Sequence, residues 1–259
     1  MTDAAGGLPP LGPLAALQFL TRIPIRLRRA PDMARMVVWF PLAGALIGLA
    51  VGGVGAGLWH LTPPLVAAAV AVTVGLLITG AFHEDGLGDI ADAFGGGVTL
   101  ERRLEILKDS RHGTYGVAAM CASIVIRILS LGSLPGPAAM FVAAIAAHVL
   151  ARTAAVGLMA AAPLATHRGL GADYGQSTTW TRAGLAAAMG LAITALVAGW
   201  WVAPLAVAAM VGAGAVGWLA MRKIHGISGD VLGAAEQVAE CLVLVTVTAL
   251  ATRHGIWWA

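Results

Sequence analysis

The sequence predicts an all-α, polytopic integral membrane protein, and three observations carry that prediction. Of its 259 residues, 59% are hydrophobic and only 11% are charged, whereas soluble domains carry about 25% charged residues. The mean hydropathy is +0.84. Apolar runs of roughly 20 residues, the length that crosses a bilayer as a helix, recur along the chain. A soluble domain and a disordered chain are therefore excluded, and the two cysteines, Cys121 and Cys241, lie in apolar stretches rather than in a disulfide framework.

About seven transmembrane helices are predicted, preceded by a segment of a different kind. The predicted spans cover approximately 37–61, 64–82, 114–134, 137–162, 183–201, 204–221 and 237–252. The stretch 11–29 is apolar and then basic, and no small-residue cleavage signal follows it. We interpret this stretch as an N-terminal interfacial or re-entrant segment rather than a signal peptide.

The connections between the predicted spans alternate between two kinds. Those near 62–64, 134–137 and 202–204 are short, uncharged and contain proline, which is typical of tight turns. The polar segments 1–36, 83–113, 163–182 and 222–236 hold thirteen of the sixteen Lys and Arg residues and nearly all the acids. The positive-inside rule therefore predicts that this face is cytoplasmic in a bacterial inner membrane. Because the basic residues are spread between spans, no nucleic-acid partner is predicted.

The first predicted span carries glycines at helical spacing. These are Gly44, Gly48, Gly52, Gly53 and Gly57. Glycine permits the close approach of two helices inside a bilayer, so we interpret these positions as packing sites.

Four carboxylates, Glu84, Asp85, Asp89 and Asp92, follow the second predicted span within nine residues. On a helix, Asp85, Asp89 and Asp92 lie within about 60° of one another. Three like charges on one face repel one another unless a cation is bound. Carboxylate oxygens favour Mg²⁺, Mn²⁺ or Ca²⁺, so the four acids are candidate metal ligands. The alternative interpretation is a solvated acidic turn that caps a span.

A glycine run at 95–97 ends the predicted acidic helix, and Thr99 is placed to cap a second helix over 100–109. The following loop contains Lys108, Asp109, Arg111 and His112 and is flanked by glycine. Such a mixture of basic groups and accessible backbone donors suits phosphate oxygens. A solvated turn between helices is the alternative.

Ionisable residues also fall inside the predicted spans. Arg152 lies about ten residues from the inner end of its span, so it is a functional candidate. Arg127 lies nearer the outer end, where its side chain could simply snorkel to the interface. Ser228 and Asp230 precede the last span in a glycine-rich turn and are further candidates. The alternative is that they simply cap a helix.

Taken together, these segments resemble the cobalamin synthase family, the adenosylcobinamide-GDP ribazoletransferases. The matching pieces are FLTRIP at 19–24, FHEDGLGD at 82–89 with FGGG at 94–97, RRLEILKDSRHGTYG at 102–116 and GISGDVLG at 226–233. The central block is the most specific of these pieces. At position 228 this chain has Ser where the family often has Thr, which keeps the hydroxyl.

The resemblance implies a Mg²⁺-dependent displacement. A hydroxyl of α-ribazole, or of its 5′-phosphate, attacks the corrinoid-linked phosphorus of adenosylcobinamide-GDP and expels GMP. The metal ligands expected are Glu84, Asp85, Asp89 and Asp92, and the catalytic residues expected are Glu84, Asp85, Asp89 and Asp109. The substrate-binding residues expected are Arg22, Lys108, Arg111, His112, Arg152, Ser228 and Asp230. Arg111 and Arg152 are expected to clamp phosphate oxygens from two sides.

On this interpretation, residues 1–259 form one transmembrane catalytic domain, with 1–36 as the interfacial segment and 83–113 as a cytoplasmic acidic catalytic loop. The expected partners are the two small-molecule substrates and the lipid bilayer, and a homo-oligomer is left open. One alternative is another membrane enzyme similar to the CDP-alcohol phosphotransferases, although no Ala-Arg pair follows Asp85-Gly86 at the expected interval. A cation-coupled transporter is a second alternative, but its coupling sites would lie near mid-membrane between repeats.

Overall fold

In a computed structural model, which describes residues 12–26, 32–165, 178–254 and 258, the chain forms helices joined by turns. The helices are α1 Gly12–Leu20, α2 Met33–Met36, α3 Phe40–Leu58, α4 Pro64–Thr79, α5 Phe82–Gly96, α6 Leu100–Ile106, α7 Thr114–Gly132, α8 Pro137–Ala161, α9 Trp180–Ala198, α10 Val202–Ile224 and α11 Gly229–Arg253. Short 3₁₀ turns at Val37–Trp39 and Gly199–Trp201 precede α3 and α10. These ranges contain no strand, only an isolated parallel bridge between Leu164 and Ile227. The all-α prediction is confirmed.

Within the described ranges, five helical stretches are long and apolar enough to cross a membrane. They are Val37–Leu58, Thr114–Gly132, Pro137–Ala161, Trp180–Ile224 and Gly229–Arg253. A sixth is obtained if α4 and α5, which are bent by 89° relative to each other, count as one broken or re-entrant span. The structure supports a polytopic membrane protein, but it does not confirm the count of seven. The difference arises where α9 and α10 form one stretch of 45 residues and where the predicted span 64–82 is a helix of only 16 residues.

The turn between α4 and α5 sets the direction of the acidic helix α5. Gly80 (φ 68°) and Ala81 (φ 55°) both adopt the left-handed conformation, which ends α4. The side chain of Arg22 lies against Gly80 and fills the space that a Cβ would need there. After this turn, α5 does not leave the bundle but packs against α7 and α11.

α8 is the central helix, since it packs against α3, α9, α10 and α11. Three of the predicted packing glycines, Gly44, Gly48 and Gly52, lie directly against its backbone. A Cβ at Gly48 would lie 2.7 Å from the Cα of Ile145. The packing interpretation is therefore correct for these three glycines, whereas Gly53 and Gly57 face open space.

The polar connections meet at one end of the bundle. Arg103 donates to the carbonyl of Lys223 (3.1 Å), and Lys223 Nζ donates to the carbonyl of Phe94 (3.3 Å), which ties the ends of α5, α6 and α10 together. Thr99 caps α6 as predicted, although that helix ends at Ile106 rather than at 109. Residues 1–11, 27–31 and 166–177, which belong to the predicted polar segments 1–36 and 163–182, lie outside the described residues.

Candidate functional site

A cavity of about 350 Å³ lies at the polar end of the bundle. Its walls come from α1, α3, α5, α8 and α11, from the end of α6 and from the turn before α11. Most of the lining is apolar, and the polar side chains in it are His83, Asp85, Lys108, Arg152, Ser228, Asp230 and Glu236. Residues distant in sequence therefore meet around one enclosed space, as a binding site requires.

The close crossing of α5 and α11 brings two of these carboxylates to the same cavity. A Cβ at Gly86 would lie 2.9 Å from the carbonyl oxygen of Asp230, and one at Gly233 would lie 3.3 Å from the carbonyl oxygen of His83. A side chain at Gly86 would force the two backbones apart, and one at Gly233 would require a shift of a few tenths of an ångström. Asp85 and Asp230 consequently both line the cavity. Sequence reasoning missed this contact, although both glycines lie in the family motifs.

His112 connects the two acids that face outward from α5. Its Nε2 lies 3.2 Å from Asp85 and its Nδ1 lies 3.5 Å from Asp89. A neutral imidazole donates from only one nitrogen, so in that form the ring donates to only one of the two carboxylates. The Asp85 side chain is 64% exposed and that of Asp89 is 17% exposed. The imidazole of His112 therefore lies between these two carboxylates.

Asp92, the third acid on the predicted acidic face of the helix, makes a different contact. It accepts hydrogen bonds from the backbone N–H groups of Gly113 (2.6 Å) and Gly116 (2.9 Å). These donors lie at the start of α7, where a helix N-terminus favours a negative charge. Asp92 thereby fixes the loop that carries His112 against α5.

Glu84 points to the opposite side of α5, into a buried network of charges. It pairs with Arg127 at 2.8 Å, and Arg127 also lies 3.3 Å from Glu240. Arg127 is only 3% exposed. The snorkelling interpretation of Arg127 is therefore wrong, because its partners come from α5 and α11, whose positions the sequence does not reveal.

The same network continues to the floor of the cavity, which is formed by the buried side chains of Arg152 and Glu236. Arg152 Nη1 lies 2.5 Å from Glu236, and His148 Nδ1 lies 2.9 Å from Glu240. His148, Glu236 and Glu240 offer ligand atoms within 4.8 Å of one another, which is the spacing of a metal site. The guanidinium of Arg152 lies within 4.0 Å of both carboxylates and already supplies positive charge there.

The remaining predicted residues lie at the edge of the site or beyond it. Arg111 is 86% exposed and donates to Asp109 at 2.7 Å. This hydrogen bond lowers the pKa of Asp109 to about 2, so that carboxylate stays ionised and is a weak base. Ser228 caps α11 by accepting from the Val231 N–H, as the capping interpretation predicts.

The predicted site residues therefore separate into two groups. Those that line the cavity are Asp85, Lys108, Arg152, Ser228 and Asp230. Those outside its lining are Arg22, Glu84, Asp89, Asp92, Asp109, Arg111 and His112. His83 and Glu236 line the cavity although they were not predicted as site residues; their only sequence signal was proximity to the acidic motif and to the last span.

Comparisons with known proteins give one consistent family. The family model described as cobalamin-5-phosphate synthase matches residues 12–248. A protein named adenosylcobinamide-GDP ribazoletransferase from Azorhizobium caulinodans is 40% identical, over 93% of this chain and 96% of its own length. Proteins of the same name from Bradyrhizobium diazoefficiens (38% identical, 90% of this chain, 92% of theirs) and Chlorobaculum tepidum (36%, 96% and 98%) are also similar. No solved structure matches the chain.

Proposed function

Because this chain belongs to the cobalamin-5-phosphate synthase family, we propose that it transfers the adenosylcobinamide-phosphate group of adenosylcobinamide-GDP to a hydroxyl of α-ribazole or α-ribazole 5′-phosphate, with release of GMP. This is a late step of cobalamin assembly. The observation that carries the proposal is the cavity, which combines apolar walls with carboxylates and a lysine at the polar end of the bundle. A cavity of this kind suits a transfer between two phosphate-bearing or nucleoside substrates.

The cofactor that we propose is Mg²⁺, held by Asp85 and Asp89. The donor set fits this ion, because both side chains offer carboxylate oxygens, the ligands that Mg²⁺ prefers, and both lie beside the same His112 ring. When bound, Mg²⁺ neutralises charge on the diphosphate oxygens and on the leaving phosphate. Glu84 and Asp92 stay predicted ligands, but each would have to share a carboxylate that Arg127 or the α7 N-terminus already binds.

The residues of this chain position the two reacting groups. Lys108 at the mouth binds phosphate oxygens, and Asp230 accepts a hydrogen bond from the attacking hydroxyl and orients it. The hydroxyl oxygen forms the new bond to phosphorus, the bond to GMP breaks, and the hydroxyl proton passes to a carboxylate at the mouth. Arg111 stays a predicted phosphate ligand, and it reaches a phosphate only by exchanging Asp109 for it.

The site faces the cytoplasm in this proposal. The cavity lies at the end of the bundle where the Lys- and Arg-rich connections meet, and such connections are retained on the cytoplasmic side of the bacterial inner membrane. GDP-activated and nucleoside substrates are then supplied from the compartment in which nucleotides are made.

Release of GMP tests the proposed function. Detergent-solubilised protein should release GMP from adenosylcobinamide-GDP only when α-ribazole and Mg²⁺ are both present, and EDTA should stop the release until Mg²⁺ is restored. A transporter would release no GMP, and it would need a closed compartment to show activity. The absence of GMP release at every Mg²⁺ concentration would refute the proposal.

A further inference from the structure

One wall of the cavity is aromatic. The rings of Phe19 and Phe40 stack with centroids 5.8 Å apart, and Phe82 meets Phe19 edge-on at 5.5 Å. These three side chains come from α1, α3 and α5, and all of them line the cavity. Aromatic side chains in such arrangements favour a flat aromatic guest, which can stack on a face or meet an edge.

The cavity has the size of a nucleoside. Along α11 it extends from Asp230 at the mouth to Glu236 at the floor, and along α8 from Met159 to Arg152. Six or seven helical steps of 1.5 Å correspond to a depth of about 9–11 Å. A volume of about 350 Å³ is close to the lower end of small-molecule sites, roughly 300–1,000 Å³. A corrin macrocycle with its side chains is far larger than this space.

The polar groups are distributed unevenly between floor and mouth. At the floor, Arg152 and Glu236 are 2% and 1% exposed and pair with each other, which leaves Nε of Arg152 as a buried donor without a hydrogen-bond partner among the described residues. At the mouth, Asp85 lies beside His112 and Asp230 accepts a hydrogen bond from the Ser228 hydroxyl, and both carboxylates line the space. An apolar ring therefore fits the interior, and hydroxyl groups fit the mouth.

Resting on the proposed function, we infer that this cavity binds the flat aromatic base of the acceptor nucleoside. The base lies inward against the phenylalanine wall, its ribose lies at the mouth beside Asp85 and Asp230, and the GDP-activated corrinoid stays outside. The cavity thereby selects the lower-ligand base. Guanine is the poorer guest, because its edge carries several donors and acceptors that the apolar walls would leave unpaired.

A cavity-filling substitution tests this inference. Ala155, which is buried on α8, lines the cavity between Arg152 and Met159, so Ala155→Leu should shorten the space for the base. α-Ribazole carries two ring methyl groups that benzimidazole riboside lacks, and one methylene in an apolar pocket changes discrimination by roughly 10–200-fold. We expect Ala155→Leu to lower kcat/KM for α-ribazole at least tenfold more than for benzimidazole riboside, while KM for adenosylcobinamide-GDP changes less than twofold.

Two further variants guard against a merely structural effect. Ala188→Leu makes the same substitution at an exposed position of α9, and it should keep the wild-type ratio between the two acceptors. Phe82→Leu removes one aromatic ring from a side chain that is 45% exposed, and it should raise KM for α-ribazole about three- to tenfold. Equal losses for both acceptors in Ala155→Leu, or a rise in KM for adenosylcobinamide-GDP alone, would overturn the inference.

Binding without turnover separates this inference from the proposed function. α-Ribazole should protect the detergent-solubilised wild type from thermal unfolding, and Ala155→Leu should lose that protection at the same concentration. If this result is obtained while no GMP is released, the proposed function fails and the base site stands. If GMP is released but Ala155→Leu and Phe82→Leu keep wild-type acceptor kinetics, the base site fails and the function stands.

Discussion

The four acids of α5 have different partners, although they lie within nine residues of one another. Asp92 holds the start of α7, and Glu84 neutralises Arg127, whereas Asp85 and Asp89 lie beside His112 and Asp85 also lines the cavity. Helical spacing correctly places the acids around one helix. It cannot assign their partners, because these lie 21 to 43 positions away in the sequence.

Removing charge from the two outward acids should abolish turnover. Asp85→Asn and Asp89→Asn each remove one negative charge from the proposed cation site, and a bound metal contributes several kcal/mol to a phosphoryl transition state. We expect GMP release to fall at least about a hundredfold while the thermal midpoint of the purified protein stays near that of the wild type. Glu101→Gln, at an exposed acid of α6, is the control. Near-normal rates in both Asp variants at limiting Mg²⁺ would contradict the site.

At the scale of elements, the crossing of α5 and α11 builds the cavity mouth. The motif segments predict that polar residues follow two different spans, but the contact between them depends on Gly86 and Gly233. A glycine inside a helix is ambiguous in a single sequence, because it is equally compatible with a turn, a packing contact or open space. Gly96 illustrates this, since it lies in α5 like Gly86, but a Cβ added there would meet no atom within 4 Å.

Enlarging Gly86 should therefore separate the two helices. In Gly86→Ala the new methyl group would collide with the backbone of Asp230, and such overpacking costs about 1–3 kcal/mol. We expect a lower thermal midpoint and a loss of GMP release that is larger than that of Gly96→Ala. Equal behaviour of the two variants would show that the crossing does not shape the site.

The buried network should contribute more to stability than any exposed ion pair. In Arg127→Ala the buried carboxylate of Glu84 loses its ion-pair partner, and Glu240 keeps only His148 and Arg152, which costs about 3–5 kcal/mol. Arg102→Ala breaks a pair that is about two-thirds exposed, which costs about 0–1 kcal/mol. Thermal unfolding of the two variants in the same detergent measures the difference. Comparable midpoints would mean that the buried charge network does not contribute more to stability than the exposed pair.

For the whole molecule, composition and hydropathy suffice to predict an all-α membrane protein with its charges at one end. The number of spans is less predictable, because the left-handed corner at Gly80 and Ala81 turns α5 through 89°. Nothing in the apolar pattern marks that turn except one glycine. The same limit applies to the buried charges. The roles of Arg127 and Arg152 can be predicted only when the helices that pack against their spans are known.

The proposed orientation predicts opposite labelling of the two ends. Cysteines introduced at Leu61, which is 77% exposed, and at Glu105, whose side chain is 64% exposed, report the uncharged and the charged end. In intact cells, an impermeant thiol reagent added outside should label Leu61→Cys and should reach Glu105→Cys only after the membrane is permeabilised. The reverse pattern would place the cavity on the outer side.

The central claim is that the acids of α5 and the cavity beside them form one catalytic site. A structure determined with Mg²⁺ and adenosylcobinamide-GDP tests this claim most directly. We expect a cation between Asp85 and Asp89, with His112 displaced, and the diphosphate at the cavity mouth near Asp230 and Lys108. Density for the cation and the diphosphate at any other place, such as the uncharged end of the bundle or the network around Glu240, would contradict it.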